Sequence, residues 1–287
     1  MTSPATARRL WAVGEPFHAL LYFAAECLTA GEGAGLKGFW QTYFAFRAAP
    51  LGAVGADVVT ASFYNFAPAF VARRVPAVWD ALAPASALDT RLAGVDAAVR
   101  RVLGEEWRRS PEAVEAAELA RIAAAAVDRP GRVLAAANAG LPEPDEPHLR
   151  LWQSLTTLRE HRGDGHVVAL LQREVDGVSA HVLAAAAGRS SRDWLMRARG
   201  WDDAAWDEAV ARLTERGWLD EDELSAEGLA MVAAIEADTD RLALAPWRAL
   251  GDARCDRLGE LLAPVRRAVV AAGEWPDHNP IGAPDPE

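Results

Sequence analysis

The stretch AVARLTERGWLDEDELSAEGLAMV, residues 209–232, decides the fold that the sequence predicts. Its beginning belongs to an amphipathic helix over residues 202–216, which Gly217 ends. The segment WLDEDEL at 218–224 is long enough for a minimal two-stranded hairpin, and Ser225 is a typical N-cap for the helix that follows. Apolar residues of the first helix recur at helical spacing: Trp206, Ala209, Val210 and Leu213.

The segment before this hairpin predicts further short helices joined by glycine turns. Residues 149–161 predict a helix, the GDG of residues 163–165 a tight turn, and residues 166–173 a second helix. A third helix is predicted over residues 178–187, after Gly177. The predicted order is therefore helix, turn, helix, helix, then the long amphipathic helix and its hairpin.

The rest of the chain also has helical periodicity nearly everywhere, so the predicted fold class is all-α. The segment LPEPDEPH at 141–148 has three prolines and three acids, and it predicts a linker between a helical domain at 1–140 and a second domain at 149–287. In the first domain, Pro16 predicts a helix start. Further helices are predicted there over residues 36–47, 54–66, 86–103 and 111–127.

Five short motifs resemble known families. RLTERGWL at 212–219 and LSAEG at 224–228 resemble the segments on either side of the wing in MarR-like regulators. LREHRGDGHVVALL at 158–171, with YFAFRAAPLG at 43–52 and FYNFAP at 63–68, is similar to an actinobacterial helix-turn-helix family. The resemblance implies a C-terminal winged helix-turn-helix with a minimal β-wing, and a homodimer formed through terminal helices. It implies no established activity.

The charge of the chain argues against ordinary DNA binding. The chain has 41 acidic and 30 basic residues, a net charge of −11, whereas a DNA-binding protein usually presents a basic face. Residues 200–211, where a recognition helix would begin, contain four acids and no base, and the predicted wing reads DEDE. DNA is therefore a disfavoured partner, although this alternative stays open. Because no run of about 18 apolar residues and no signal peptide occur, the sequence predicts a cytoplasmic protein without a membrane segment.

The block REHRGDGH at 159–166 is the strongest candidate for chemistry. His161 and His166 titrate near neutrality, and with Glu160 and Asp164 beside them they predict general acid and base catalysis or a single metal ion. The alternative is a helix-turn junction with solvated charges, in which Asp164 caps the next helix. Cofactors are not identified by the sequence.

Five further residues are candidates for substrate binding. Glu15 and His18 share one stripe of the first helix, and predict either a pair that faces a pocket or a wet polar face. Arg47 and Arg159 predict anion binding, with an internal ion pair as the alternative for Arg47. Tyr64 predicts a polar group in an aromatic pocket, or a core tyrosine. No second Glu-x-x-His occurs, so a dinuclear metal centre is not predicted.

These candidates favour a small-molecule-binding protein or acid/base enzyme of bacterial specialised metabolism, built on a winged-helix scaffold. Motifs for nucleotide binding and for serine hydrolases are absent from the sequence. A ligand-responsive transcriptional regulator is the second hypothesis, based on the order of elements. An interaction module without chemistry is the third, in which the acidic helix would dock on a basic partner.

Overall fold

A computed structural model describes residues 2–276 and residue 281 of the chain. The structure is 75 % helical, and one two-stranded sheet is the only sheet among these residues. The predicted all-α fold is therefore confirmed. In the same residues, no single helix is long and apolar enough to cross a membrane. A bent pair of helices, residues 38–51 and 56–63, passes that test by length and composition when taken together.

The described residues before position 141 form helices of 5 to 25 residues. In chain order these are α1 (Pro4–Phe23), α2 (Ala25–Gly33), α3 (Gly38–Ala48), α4 (Ala56–Phe63), α5 (Pro68–Ala72), α6 (Ala77–Ala81), α7 (Pro84–Arg108), α8 (Pro111–Ala125) and α9 (Val133–Ala139). A 3-10 turn at Ala49–Leu51 follows α3. The predicted helices over 36–47, 54–66, 86–103 and 111–127 correspond to α3, α4, α7 and α8.

The remaining helices surround one hairpin. They are α10 (Pro147–Leu171), α11 (Gly177–Ala186), α12 (Arg192–Arg199), α13 (Asp203–Glu215), α14 (Ala226–Leu242), α15 (Ala245–Leu250) and α16 (Asp252–Ala271). Strands β1 (Leu219–Asp220) and β2 (Glu223–Leu224) pair antiparallel, with Leu219 opposite Leu224. Side-chain caps fix where α11 to α14 begin. In each helix the side chain of the N-cap residue accepts a hydrogen bond from a backbone N–H of the first turn, and the four N-cap residues are Asp176, Ser191, Asp202 and Ser225.

The block at residues 159–166 lies in the middle of α10, so the predicted turn at residues 163–165 is wrong. Glycine in a helix interior destabilises it by roughly 0.5–1 kcal/mol relative to alanine. At Gly165 the packing requires it, because a Cβ there would lie 2.8 Å from Arg132 Nη1 and 3.1 Å from Leu242 Cβ. The glycine therefore permits close approach between packed elements and does not reverse the chain.

The start of the first helix was also predicted wrongly. Pro16 lies inside α1, which begins at Pro4 after the N-cap Ser3. Both prolines suit the first position of a helix, but Pro4 occupies that position. Pro16 lies in the interior of α1 and is buried. Ala24 then takes an extended backbone and separates α1 from α2.

The larger hydrophobic cluster combines the two ends of the chain. It contains α1 to α9, the first half of α10 and the helices α15 and α16. Helix α16 packs along α1, and Arg9 Nη2 pairs with Asp256 Oδ1 at 2.7 Å. The core of the N-terminal region therefore continues past the linker predicted at 141–148. Residues 141–146 form the loop before α10, and Pro147 and His148 begin that helix.

A second hydrophobic cluster lies between α11, α12, α13, α14 and the hairpin, together with the end of α10. The segment around Asn65 joins it to the first cluster, because the carbonyl of Asn65 accepts hydrogen bonds from His181 Nε2 at 2.9 Å and Trp201 Nε1 at 3.0 Å. Gly177 allows the start of α11 to pack closely against this segment, because a Cβ at residue 177 would lie 2.4 Å from the carbonyl oxygen of Tyr64. Helix α10 thus connects two cores.

Candidate functional site

A cavity of about 310 Å³ lies between the two hydrophobic clusters. Helices α1, α3 and α4 form one wall, the middle of α10 forms the base, and α11, α12 and α14 form the other wall. This volume falls at the lower end of the range for small-molecule pockets. Gly163 lines the cavity, and a Cβ there would meet Glu160 Oε2 at 3.5 Å and Arg159 Nη1 at 3.9 Å.

Aromatic rings cover much of the cavity wall. Most come from the segments YFAFRAAPLG and FYNFAP and from residues just before them. The lining rings on this side are Tyr22, Phe39, Trp40, Tyr43, Phe63 and Phe66. They pack at ring-centroid distances such as 5.2 Å between Tyr22 and Tyr43 and 6.0 Å between Trp40 and Phe66. This wall offers flat apolar surface to a ligand.

Buried ion pairs connect α10 to α1 and α3. Arg47 donates to both oxygens of Glu160, with Nε to Oε1 at 3.0 Å and Nη2 to Oε2 at 3.1 Å. Arg159 donates to Glu160 Oε2 at 3.1 Å and to Glu15 Oε1 at 3.3 Å. Trp11 Nε1 donates to the other oxygen of Glu15 at 2.7 Å. The two clusters of candidate residues therefore meet in space, and Glu15 lies in a buried network, contrary to the wet polar face considered for α1.

The two carboxylates of this network differ in their electrostatic surroundings. Burial raises the pKa of both, and for Glu15 it outweighs the contact with Arg159, so that its pKa is raised. For Glu160 the two guanidinium groups of Arg47 and Arg159 outweigh burial and lower its pKa to about 2. Glu160 is therefore a fixed anion, which makes it a partner for arginine and a poor general base.

A second set of arginines in the cavity lining contacts the acids of α14. Arg162 donates to Asp240 Oδ1 at 2.7 Å and to Glu236 Oε2 at 3.3 Å, and its guanidinium lies 4.2 Å from the ring centre of Trp11. Arg189 lies 3.5 Å from Glu236 Oε1. Glu236 and Asp240 of α14 therefore form ion pairs with arginines of the cavity lining.

Arg199 differs from the other arginines of the cavity because no carboxylate contacts it in the described part of the chain. It is 9 % exposed, and its Nε has no hydrogen-bond partner. Its Nη1 donates to the carbonyl of Ala198 at 3.2 Å, and its Cζ lies 4.6 Å from the ring centre of Phe66 and 6.0 Å from that of Trp194. Burial lowers its pKa to about 10, so the group remains a cation at neutral pH.

Two histidines are anchored in the same way by threonines. Thr156 Oγ1 donates to a backbone carbonyl at 2.8 Å and lies 3.0 Å from His18 Nδ1, so the Nδ1–H of the histidine must donate to it. Thr239 Oγ1 holds His166 Nδ1 at 3.0 Å with the same arrangement. In both neutral rings Nε2 is left as an acceptor, and burial lowers both pKa values.

The candidate residues occupy different surroundings. Arg47, Arg159 and His166 line the cavity. Glu160 lies behind its wall in the ion-pair network, while Glu15 and His18 line a smaller adjoining cavity of about 20 Å³.

Three candidates lie outside both cavities. His161 faces Asp128, 4.0 Å away, and burial lowers its pKa to about 3. Asp164 Oδ2 accepts the backbone N–H of Ala135 at 2.9 Å, so it caps α9. Tyr64 donates its hydroxyl to the carbonyl of Val175 at 2.6 Å and belongs to the joint between the clusters.

Sequence reasoning gave no role to five charged or titratable groups that line the cavity. They are Arg162, which lies inside the block at 159–166, and His181, Arg189, Arg199 and Glu236. Arg199 ends α12, a helix that was not predicted although Ser191 before it and Gly200 after it are typical cap residues. That pair of caps is the pattern that could have found it. No group of three or more His, Cys, Asp or Glu side chains that could hold a metal ion occurs in residues 2–276 or at 281.

Comparison with known proteins identifies the family. No curated protein and no solved structure matches this chain. Residues 7–276 match a helix-turn-helix family. The match covers nearly all of the chain, so the protein belongs to this helix-turn-helix family.

Proposed function

We propose that the protein binds a small organic molecule in the cavity between its two hydrophobic clusters. The observation that carries this proposal is a cavity of about 310 Å³ with an aromatic wall and several arginines at its rim and base. Pockets for small ligands are mostly apolar, with a few placed polar groups that fix orientation. The bound molecule would contact α3 and α4 on one side and α11 and α12 on the other.

In this proposal, α11 to α14 and the hairpin form a MarR-like winged helix used as one wall of a binding site. The order of helices and the hairpin supports this interpretation, as do the match to a helix-turn-helix family and the motif at residues 212–219. Of the four candidates for acid/base chemistry, His166 is the one in the cavity wall, so any proton transfer would use its Nε2. The homodimer stays a prediction, which analytical ultracentrifugation tests.

A cavity-filling variant tests ligand binding directly. Gly163→Leu places its side chain in the cavity without a close backbone contact, and Gly163→Ala is the matched control that adds only a methyl group. With the neutral probe 2-naphthamide, we expect saturation-transfer NMR signals from the wild type and from Gly163→Ala, and their loss from Gly163→Leu. Equal signals from all three folded proteins would contradict binding in this cavity.

A DNA-binding regulator is the second candidate, because membership of a helix-turn-helix family favours it. The surface of α13 argues against it: Asp203 and Asp207 are exposed and pair with Arg192, which removes a base from that surface. Exposed acids also follow β1. Titration of the protein with DNA from upstream of its own gene, over a salt series, separates the candidates. Tight sequence-specific binding with a steep salt slope would favour the regulator.

A further inference from the structure

We propose that the cavity selects a small organic monoanion, a carboxylate on a flat apolar body, and that Arg199 pairs with the carboxylate. This inference rests on the proposed function and adds the chemical class of the ligand. Its basis is the contrast between one unpaired guanidinium and four paired ones around the same cavity.

The first step is the charge balance of the cavity. Arg47 and Arg159 pair with Glu160 and Glu15. Arg162 and Arg189 contact Glu236 and Asp240 of α14, which the partly exposed Arg8 outside the cavity also contacts. Arg199 has no such partner among residues 2–276, although it is nine-tenths buried. A buried charge without a counter-ion destabilises the folded protein, so the one arginine of the cavity lining that contacts no carboxylate is suited to pairing with one negative charge.

The second step is the hydrogen-bonding capacity of Arg199. A guanidinium carries five N–H donors in a planar fork, and Arg199 uses one of them on the neighbouring carbonyl of Ala198. Its Nε is buried and has no partner. A carboxylate matches the fork geometry and would accept two of the unused donors.

The third step is the shape of the surroundings. The ring of Phe66 lies 4.6 Å from Arg199 Cζ, and the rings of Trp40 and Tyr43 continue the apolar wall from Phe66 at centroid distances of 6.0 Å and 5.6 Å. A carboxylate at Arg199 would therefore place the attached group against aromatic faces. An aromatic or other flat apolar body suits this wall better than a sugar or a flexible polar chain.

The test compares two probes of the same shape, 2-naphthoate and neutral 2-naphthamide, by isothermal titration or NMR titration. For the wild type we expect naphthoate to bind about tenfold to a hundredfold more tightly, which is the range for a charge-assisted bidentate pair. Arg199→Met should bind both probes equally, and Arg199→Lys should keep part of the preference. Arg74→Met is the matched control, because Arg74 also lies over an aromatic ring, at 3.7 Å from Phe70, outside the cavity.

A measurement without ligand supports the same assignment. If Arg199 binds a ligand, replacing it in the ligand-free protein should remove an unpaired buried charge. The midpoint of thermal unfolding of Arg199→Met should therefore be equal to or higher than that of the wild type. A lower midpoint, with Arg199→Lys unchanged, would assign Arg199 a structural role and overturn the inference.

The outcomes separate the inference from the proposed function. Equal affinity of the wild type for both probes would overturn the anion inference and leave ligand binding in place. A preference for naphthoate that persists in Arg199→Met would overturn the role of Arg199. Failure of the wild type to bind either probe would contradict both proposals.

Discussion

At the scale of single residues, Gly163 and Gly165 lie two positions apart on α10 but have opposite surroundings. Gly163→Ala should raise the free energy of unfolding by about 0.5–1 kcal/mol, because alanine favours the helix and its methyl group meets only ordinary contacts. Gly165→Ala should lower it by about 1–2 kcal/mol, since Arg132 is pinned by the carbonyls of His161 and Leu242 and cannot easily withdraw. Urea unfolding of both variants measures these changes in the free energy of unfolding. Stabilisation by both changes would contradict the packing at Gly165.

Asp164 gives a second prediction, on pH dependence. Burial raises the pKa of its carboxyl from 3.8 to about 6, so the folded protein binds this proton more tightly than the unfolded chain. Its contribution to stability is fully present below about pH 4 and is lost as the pH rises through 6. Relative to Asp164→Asn, which keeps an acceptor for Ala135, the wild type should lose about 2–3 kcal/mol between pH 4 and pH 7. A difference between the two proteins that does not change with pH would show that this carboxyl is not perturbed.

At the scale of elements, α10 shows where local sequence rules fail. The motif GDG predicts a turn, yet residues 159–166 continue one helix from Pro147 to Leu171. Tertiary packing of Gly165 against Arg132 and Leu242 decides the backbone, and no local pattern contains that information. The helices whose caps and apolar faces agree, α8, α11 and α13, were predicted within one or two residues.

The candidate site was only partly predictable, because local sequence patterns do not contain information on tertiary packing. Arg47 was a candidate because a charge inside an aromatic segment needs a partner, and its ion pair with Glu160 is one of the two predicted alternatives. Arg162 and Arg199 could not be placed at the cavity, because the cavity depends on how two cores meet across α10. Sequence spacing within one helix does not show which side faces a second core.

Hydrogen exchange tests the continuity of α10. In a continuous, packed helix the amides of residues 163–166 should exchange as slowly as those of residues 155–158, with protection of at least about a thousandfold. A turn at residues 163–165 would instead give fast exchange between two protected segments. Glu143, Asp145 and Glu146, which are exposed in the loop before α10, serve as an internal reference for unprotected backbone.

At the scale of the whole molecule, the five histidines among the described residues predict sensitivity to acid. Burial lowers the pKa of His18, His148, His161, His166 and His181, and for His161 and His181 to about 3. Their contribution to stability is present above about pH 6.5 and is lost as the pH falls, because the unfolded chain takes up these protons first.

Each such histidine contributes up to about 1.4 kcal/mol per pH unit to the slope of stability against pH. The midpoint of thermal unfolding should therefore fall clearly between pH 7 and pH 5. His161→Gln should reduce this slope by about 1.4 kcal/mol per pH unit, which corresponds to one proton, whatever its effect on stability at neutral pH. A slope that does not differ between this variant and the wild type would mean that His161 is protonated in the folded protein.

The packing of α16 against α1 has a consequence for the synthesis of the protein. Helix α1 leaves the ribosome long before α16, which carries part of the surface that α1 packs against. The larger core therefore stays incomplete until α16 has been made. Because translation adds roughly 5–20 residues per second, the apolar side of α1 stays without α16 for on the order of ten seconds or more. During that interval a nascent chain with folded α11 to α14 still exposes the unfinished core, which makes it a natural client for chaperones.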